Sequence, residues 1–292
     1  MTADLRKTSI RWGEVVGPSV LAVAALICVA FLVLLVGYVM WEGGSVLSWT
    51  FISQPPRDGM TEGGIWPAIV GTVLVTLVSA LAAVPLGVAA AIYLAEYAPE
   101  GVGTRLIRLS VRNLAGVPSI VYGLFGLALF VQALELGGSV LSSGLTLGLL
   151  NLPWTISASE EALRTVPRPL RDGALALGAG RWAAIRTVVL PSALPGIITG
   201  AVLALARAAG ETAPILFTGV AFYLPVPPRG PADAFMALPY HLYVMATQHH
   251  DPLAAQPLAF GTALVLILLV FTLSSAAVVL RSRIRRQLGG GR

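Results

Sequence analysis

From residue 17 to residue 40 the chain runs for 24 residues without one charged side chain. Crossing about 30 Å of hydrocarbon takes about 20 apolar residues. In lipid the backbone must satisfy its own hydrogen bonds, so a run of this kind has to be a helix. Similar runs recur at 66–96, 114–136, 141–159, 194–222 and 258–280. The pattern predicts an all-α integral membrane protein with six transmembrane helices. The fourth run is the shortest and carries Asn151 and Pro153.

Composition supports lipid as the solvent. Charged residues make up 11% of the chain and mean hydropathy is +0.83, against about 25% charged in soluble domains. The net charge of +5 forms no compact basic module of the kind that reads nucleic acid, which excludes that partner class. It is laid out between the apolar runs. Arg6, Lys7 and Arg11 precede the first run, and Arg105, Arg108 and Arg112 follow the second. Arg164, Arg168, Arg171, Arg181 and Arg186 follow the fourth, and Arg281, Arg283, Arg285, Arg286 and Arg292 follow the sixth. With a cytoplasmic N-terminus, sixteen of the nineteen basic residues lie inside. The positive-inside rule therefore places both termini in the cytoplasm.

The organisation expected is a cytoplasmic tail over 1–16, a first span over 17–40, an outer loop over 41–65, a transmembrane domain over 66–280 and a basic tail over 281–292. The first run is too long for the 7–15-residue core of a signal peptide. Cys28 follows Ile27 rather than a small residue, so a lipoprotein site is not expected, and a lone cysteine makes no intrachain disulfide. Trp41, Trp49 and Trp66 flank the first outer loop as interfacial aromatics do. His241, His249 and His250 fall in the Pro-rich outer stretch 223–257, with no standard metal-ligand spacing, and no metal is expected.

The stretch 160–191 is charged, helix-prone and punctuated by Gly and Pro. It contains Asp172-Gly173-Ala174, then Gly178, then Val188-Val189-Leu190-Pro191. Small residues at Gly173 and Ala174 permit close approach by a partner surface. Gly178 can take a positive φ and end one short helix before another begins. Trp182 and Ile185 would anchor the second helix, and Pro191 would stop it before the fifth span. The spacing resembles the EAA loop of ABC importer permeases, Glu-Ala-Ala, three residues, Gly, nine residues, Ile-x-Leu-Pro. Asp172, Gly173 and Val188 depart from that wording. The resemblance implies a MetI-like, type I importer permease in which Asp172, Gly173, Ala174, Leu177, Gly178, Ala179 and Trp182 form a coupling helix that docks on an ATPase. No P-loop is present, since the chain's single lysine, Lys7, follows no glycine. ATP and Mg would be bound by the ATPase subunits, so this chain is expected to be a non-enzymatic subunit without a cofactor of its own.

Arg207 and Glu211 stand in Arg-Ala-Ala-Gly-Glu-Thr-Ala-Pro inside the fifth run. Arg207 lies 13 residues beyond Leu194, about 20 Å along a helix. Charges at such depth are costly and usually face a cavity. A guanidinium suits an oxyanion, and a carboxylate four residues on can neutralise it between transport events. The other reading is a structural ion pair holding spans together. Gly210 and Pro214 should loosen the helix beside the pair. Asn113, Ser119 and Tyr122 are candidates for polar lining of the third span, with Pro118 and Pro85 as kinks.

Several further segments resemble the A-type permeases of phosphate ABC importers. They are Gly-Gly-Ile-Trp-Pro-Ala-Ile at 63–69, Pro-Leu-Gly-Val-Ala-Ala-Ala-Ile-Tyr-Leu-Ala-Glu-Tyr-Ala at 85–98, Asn-Leu-Ala-Gly-Val-Pro-Ser-Ile-Val-Tyr-Gly-Leu at 113–124, and Ala-Arg-Ala-Ala-Gly-Glu-Thr-Ala-Pro at 206–214. The resemblance implies inorganic phosphate as substrate, with Arg207, Glu211 and Thr212 on its path. It also implies a second, C-type permease as heterodimer partner, an ATPase dimer and an extracytoplasmic phosphate-binding protein, all around a subunit held in the lipid of a bacterial plasma membrane. A permease for molybdate or sulfate fits the coupling loop equally well. An ion-driven secondary transporter would leave that loop unexplained.

Overall fold

A computed structural model describes residues 12–289. Most of the predicted tail 1–16 and the last three residues of the basic tail lie outside the described residues. The first helix, α1 (Trp12–Gly44), is apolar on every side, and its side chains from residue 17 to residue 35 are exposed. A helix hydrophobic all round belongs in lipid or in a core, and here no core surrounds it. It touches the rest of the chain near its C-terminal end. There the Tyr38 ring meets Phe260 edge-on at 5.3 Å, and a Cβ on Gly43 would lie 2.5 Å from the Phe260 carbonyl oxygen.

The outer connection is more ordered than its Pro and Gly content suggests. Ser48 Oγ accepts the Phe51 N–H to start α2 (Trp49–Ser53). A two-stranded antiparallel hairpin follows, β1 (Pro56–Arg57) and β2 (Glu62–Gly63), pairing Pro56 with Gly63 and Arg57 with Glu62. Gly59, at φ +63, turns the chain between them.

α3 (Trp66–Ile92) starts with Pro67 in its first turn, where no N–H is needed. It continues through Pro85 without a break, and its hydrogen-bond ladder widens at Tyr93–Tyr97 into a π-helical turn. Of the third span expected over 114–136, residues 119–133 form one apolar helix, shorter than expected and preceded by a sharp bend. α4 (Val102–Leu114) is amphipathic, and it meets the apolar helix Ser119–Ala133 at 98°. The first part of that second helix is α5 (Ser119–Gly126). Pro118 sits just before α5 and so marks the elbow rather than a kink inside a span.

α6 (Val140–Arg164) is the central helix. Its contacts are made by small residues, which let helices approach closely in lipid. Gly144 and Gly148 face α3, where an added Cβ would meet Val78 at 2.5 Å and Ala82 at 2.9 Å. Two short helices follow α6, α7 (Arg168–Ala176) and α8 (Arg181–Ala184). The chain then runs unbroken from Arg181 through a π-helical turn at Ile185–Val189 into α9 (Leu190–Gly210). Pro191 therefore does not stop a helix. It occupies the first turn of α9, and a turn with i→i+5 bonds precedes it. Gly196 and Gly200 of α9 face Ala162 and Ala158 of α6, with added Cβ atoms at 2.7 and 2.4 Å.

α10 (Ala213–Thr218) and α11 (Leu238–Thr247) precede the long final helix α12 (Pro252–Gly289). Three apolar clusters succeed one another along α3. Ile65 and Ala68 join the first with Phe51, Met236 and Leu238. Val75 joins the second with Leu147, Ile215 and Phe235. Ala91 joins the third with Leu163, Val189 and Ile197.

Among the described residues, four helices are long and apolar enough to cross a membrane, and the bent pair makes a fifth candidate. α6 has 25 residues, about 37 Å at the helical rise. It falls short on apolarity because protein, not lipid, surrounds it: Ser142, Ser143, Thr146, Asn151, Thr155 and Ser159 are all buried.

Candidate functional site

Two places concentrate chemistry. The first is the junction between α9 and α10. Pro214 has no N–H to give the carbonyl four residues back, so the helix cannot run on. α9 ends at Gly210, Glu211 is extended at φ −75 and ψ 130, and Thr212 leads into α10. The pair expected on one helix face is thus formed across a helix end. Arg207 Nε donates to Glu211 Oε1 at 3.1 Å, and the guanidinium lies over the Trp154 ring at 5.1 Å. Arg207 sits in the last turn of α9, where the helix dipole favours a cation. Its side chain is 45% exposed and that of Glu211 17%. Both line an open groove of about 640 Å³ whose opposite wall is α12, with Leu266, Val270 and Phe271. A guanidinium carries five N–H donors, and the bond to Glu211 uses one of them. Thr212 is half-buried beside the pair and caps no helix with its side chain.

The third-span candidates are elsewhere. Asn113 is exposed in the last turn of α4. Ser119 is half-buried at the start of α5. Tyr122 donates its hydroxyl to the Leu114 carbonyl at 3.0 Å, and its ring belongs to the second apolar cluster. None of the three lines the groove of Arg207 and Glu211. Tyr122 braces the α4–α5 elbow instead.

The second place is the helix pair α7 and α8. Gly178 takes φ +85, as its position in the sequence suggests. Its N–H bonds to the Leu175 carbonyl and that of Ala179 to the Ala174 carbonyl, the paired closure that ends a helix on a left-handed residue. No residue of α7 is buried. Asp172 and Gly173 face outward, Ala174 and Ala179 are half-buried, Leu177 is 91% exposed, and Trp182 is exposed as well. An apolar ledge of this kind, open on a small-residue helix, has the form of a docking surface.

What holds this ledge to the membrane helices escapes a reading of the sequence alone. Arg171 Nε and Nη2 donate to Glu96 Oε1 at 3.1 and 3.0 Å. Its Nη1 and Nη2 donate to the carbonyls of Val166 and Leu163 at 2.5 and 2.6 Å. Arg181 donates to the Glu96 carbonyl and lies over the Tyr97 ring at 5.0 Å. Glu96 ends the second apolar run opposite an arginine-rich loop, and that placement was the available signal. Nearby, Glu160 accepts from both Arg108 and Arg164 at 2.7 and 2.8 Å. One of the three histidines also differs from expectation. His241 is buried in α11 with no partner for Nδ1 among the described residues, so it is not part of a solvated loop. The His249 and His250 rings lie tilted by 32° with centroids 4.4 Å apart.

Residues 83–286 match the family described as binding-protein-dependent transport system inner membrane component. The chain is similar to the probable ABC transporter permease protein YqgI of Bacillus subtilis, at 35% identity over 90% of this chain and 93% of that protein. It is similar to the phosphate transport system permease protein PstA 1 of Mycobacterium tuberculosis, at 37% identity over 80% of this chain and 75% of that one. PstA of Xylella fastidiosa matches at 36% over 80% of each. In fold it is similar to the MetNI methionine ABC transporter in an inward-facing conformation, with TM-score 0.60 at 18% identity over 75% of this chain and 97% of that one. A bacterial ABC transporter involved in alginate import aligns over 94% of this chain and 98% of its own, with TM-score 0.56 at 13% identity. The chain therefore belongs to the binding-protein-dependent transport system inner membrane components, and is a type I ABC importer permease whose relatives include the proteins named PstA.

Proposed function

We propose that this chain is the A-type membrane subunit of an ATP-driven importer of inorganic phosphate in a bacterial plasma membrane. The observation that carries the proposal is Arg207. Its guanidinium stands at a helix break, is bonded once to Glu211, and faces an open groove. Phosphate offers oxygens that fit a guanidinium fork. Glu211 competes for the same donors, so arriving anion is held without being trapped. The names of the relatives in Mycobacterium and Xylella support phosphate over other oxyanions.

In this reading the groove closes against a C-type permease, the two forming a heterodimer. An extracytoplasmic binding protein delivers phosphate to the face that carries the hairpin and α11. An ATPase dimer, which holds ATP and Mg, receives α7 and its ledge of Leu177 and Trp182. Both termini lie in the cytoplasm, and α6 completes six spans. The residues assigned to the docking ledge are Asp172, Gly173, Ala174, Leu177, Gly178, Ala179 and Trp182.

The test is phosphate uptake into proteoliposomes containing the whole complex. Arg207→Ala should lower uptake about 10- to 150-fold, the worth of one charged hydrogen bond, while the subunits still co-purify. Arg207→Lys should retain part of it, because a point charge replaces a fork. Sulfate and molybdate in excess should not compete. Wild-type uptake by Arg207→Ala removes this residue from the path, and competition by molybdate reassigns the cargo.

A further inference from the structure

At the elbow between α4 and α5, two cavities of opposite character adjoin. One, of about 560 Å³, is lined by Arg105, Arg108, Arg112 and Arg164, with Glu100 as its one acid. The other, of about 460 Å³, is a slot between α5 and α6 walled by apolar side chains such as Val121, Phe125, Leu152 and Ile156. A small pocket that also carries Glu160 and Glu161 lies between them, sharing Arg112 with the basic cavity and Val111 with the apolar one, so the two are neighbours along α4.

The charges in the basic cavity are not all satisfied. Arg108 is bonded to Glu160 and to the Leu94 carbonyl, and Arg164 is bonded to Glu160. Arg105 and Arg112 have no side-chain partner among the described residues. Glu100 and Glu161 border the cavities and bond to neither. The orientation of α4 adds to this. It lies at 98° to the apolar helix Ser119–Ala133, and therefore along the membrane plane if that helix crosses it. Its arginines recur three and four residues apart and share one side. Leu106, Ile107 and Leu114 are exposed away from them. A helix with a basic side and an apolar side rests at the headgroup boundary.

A ligand for this elbow needs a compact anion within reach of two free guanidiniums and a long apolar body for the slot. Inorganic phosphate supplies only the first, and an acidic protein surface leaves the slot empty. We infer that the α4–α5 elbow binds one anionic phospholipid of the inner leaflet, its phosphate between Arg105 and Arg112 and an acyl chain in the slot between α5 and α6. The inference rests on the orientation proposed above, with both termini in the cytoplasm, which puts α4 at the inner leaflet, but it makes no use of the transported substrate.

The experiment is native mass spectrometry of the full complex released from detergent containing either phosphatidylglycerol or phosphatidylcholine. Wild-type protein should retain phosphatidylglycerol about tenfold better than phosphatidylcholine, and retention should fall with salt. Arg105→Ala with Arg112→Ala should weaken that retention about 30-fold. Arg105→Lys with Arg112→Lys should keep most of it, which separates lost charge from lost folding. Arg207→Ala should leave it unchanged, so a failure of the phosphate reading is distinguishable. Equal retention of the two lipids, or retention in the double alanine variant, overturns the inference. Displacement by millimolar inorganic phosphate would make the elbow a free-anion site, and displacement by the ATPase subunit a protein contact. Either result also overturns it.

Discussion

Replacing Arg171 by alanine should detach α7 from the membrane helices while leaving the apolar core intact. Arg171 makes four hydrogen bonds, two to Glu96 Oε1 and two to the carbonyls of Val166 and Leu163. Its side chain is 19% exposed and that of Glu96 10%, so solvent replaces little of what is lost. Breaking a fully buried pair costs about 3–5 kcal/mol. This one is partly wet, and the Glu96 backbone keeps its bond from Arg181, so we expect about 2–3 kcal/mol. That is about 30- to 150-fold in the local opening equilibrium. The assay is hydrogen exchange of the amides in 168–189, compared with those of α6, in the assembled complex. Exchange should accelerate in the first region and not in the second, and ATP hydrolysis should no longer track uptake. Arg171→Lys should fall between, because one ammonium cannot reach all three acceptors. If exchange in 168–189 is unchanged in Arg171→Ala, the ledge is held by contacts other than the Glu96 clasp.

Three further outcomes are expected. Gly178→Val, at φ +85, forces a branched side chain into the left-handed region at about 1–2 kcal/mol; co-purification of the ATPase should weaken, and full binding would show that this turn is not read by the partner. Gly200→Ala places a Cβ 2.4 Å from that of Ala158 and should destabilise by about 1–3 kcal/mol. Adding Ala158→Gly should restore much of the loss in thermal unfolding, and strict additivity would refute the contact. His241, outside the spans, has its pKa lowered to about 4 by burial, with His249 adding to the effect. The unfolded chain therefore takes up a proton near pH 6.5 while the folded chain stays neutral. Stability should be unaffected above that pH and fall by about 3 kcal/mol as pH drops toward 4. His241→Gln should flatten this decline, and an identical decline in the variant would assign it to other groups.

The lipid-facing parts of the fold are plain in the sequence because lipid imposes one rule on every position. α1, α3 and α12 fall where uncharged runs place them, and the Gly178 turn falls where only glycine is comfortable. Protein-facing parts obey other rules. α6 is surrounded by helices, so its serines, threonines and Asn151 signal burial rather than exposure, and its length extends past Glu160 into residues that seemed to begin a loop. Asn113 belongs to the amphipathic helix α4, set at 98° to the apolar helix that follows, a break that apolarity alone does not mark when Pro118 turns the chain. Pro191 begins α9 because proline is harmless in a first turn, and the sequence carries no mark for the preceding π-helical turn. Arg207 and Glu211 are visible as charges in an apolar run. That Pro214 turns their helix into two is a matter of one missing N–H. Arg171 is hidden among five arginines in its loop, and only the fold shows which of them finds Glu96.

α1 meets the rest of the chain near one end. Tyr38 and Gly43 clasp α12 around Phe260, whereas side chains 17–35 are exposed. Once in a bilayer, such a beam is hinged near one end and takes its slope elsewhere from the surrounding lipid. The remaining helices can shift at the end away from the clasp while the α1–α12 contact stays whole. Bilayer thickness then sets the angle of this one strut without disturbing the packing of α3, α6 and α9.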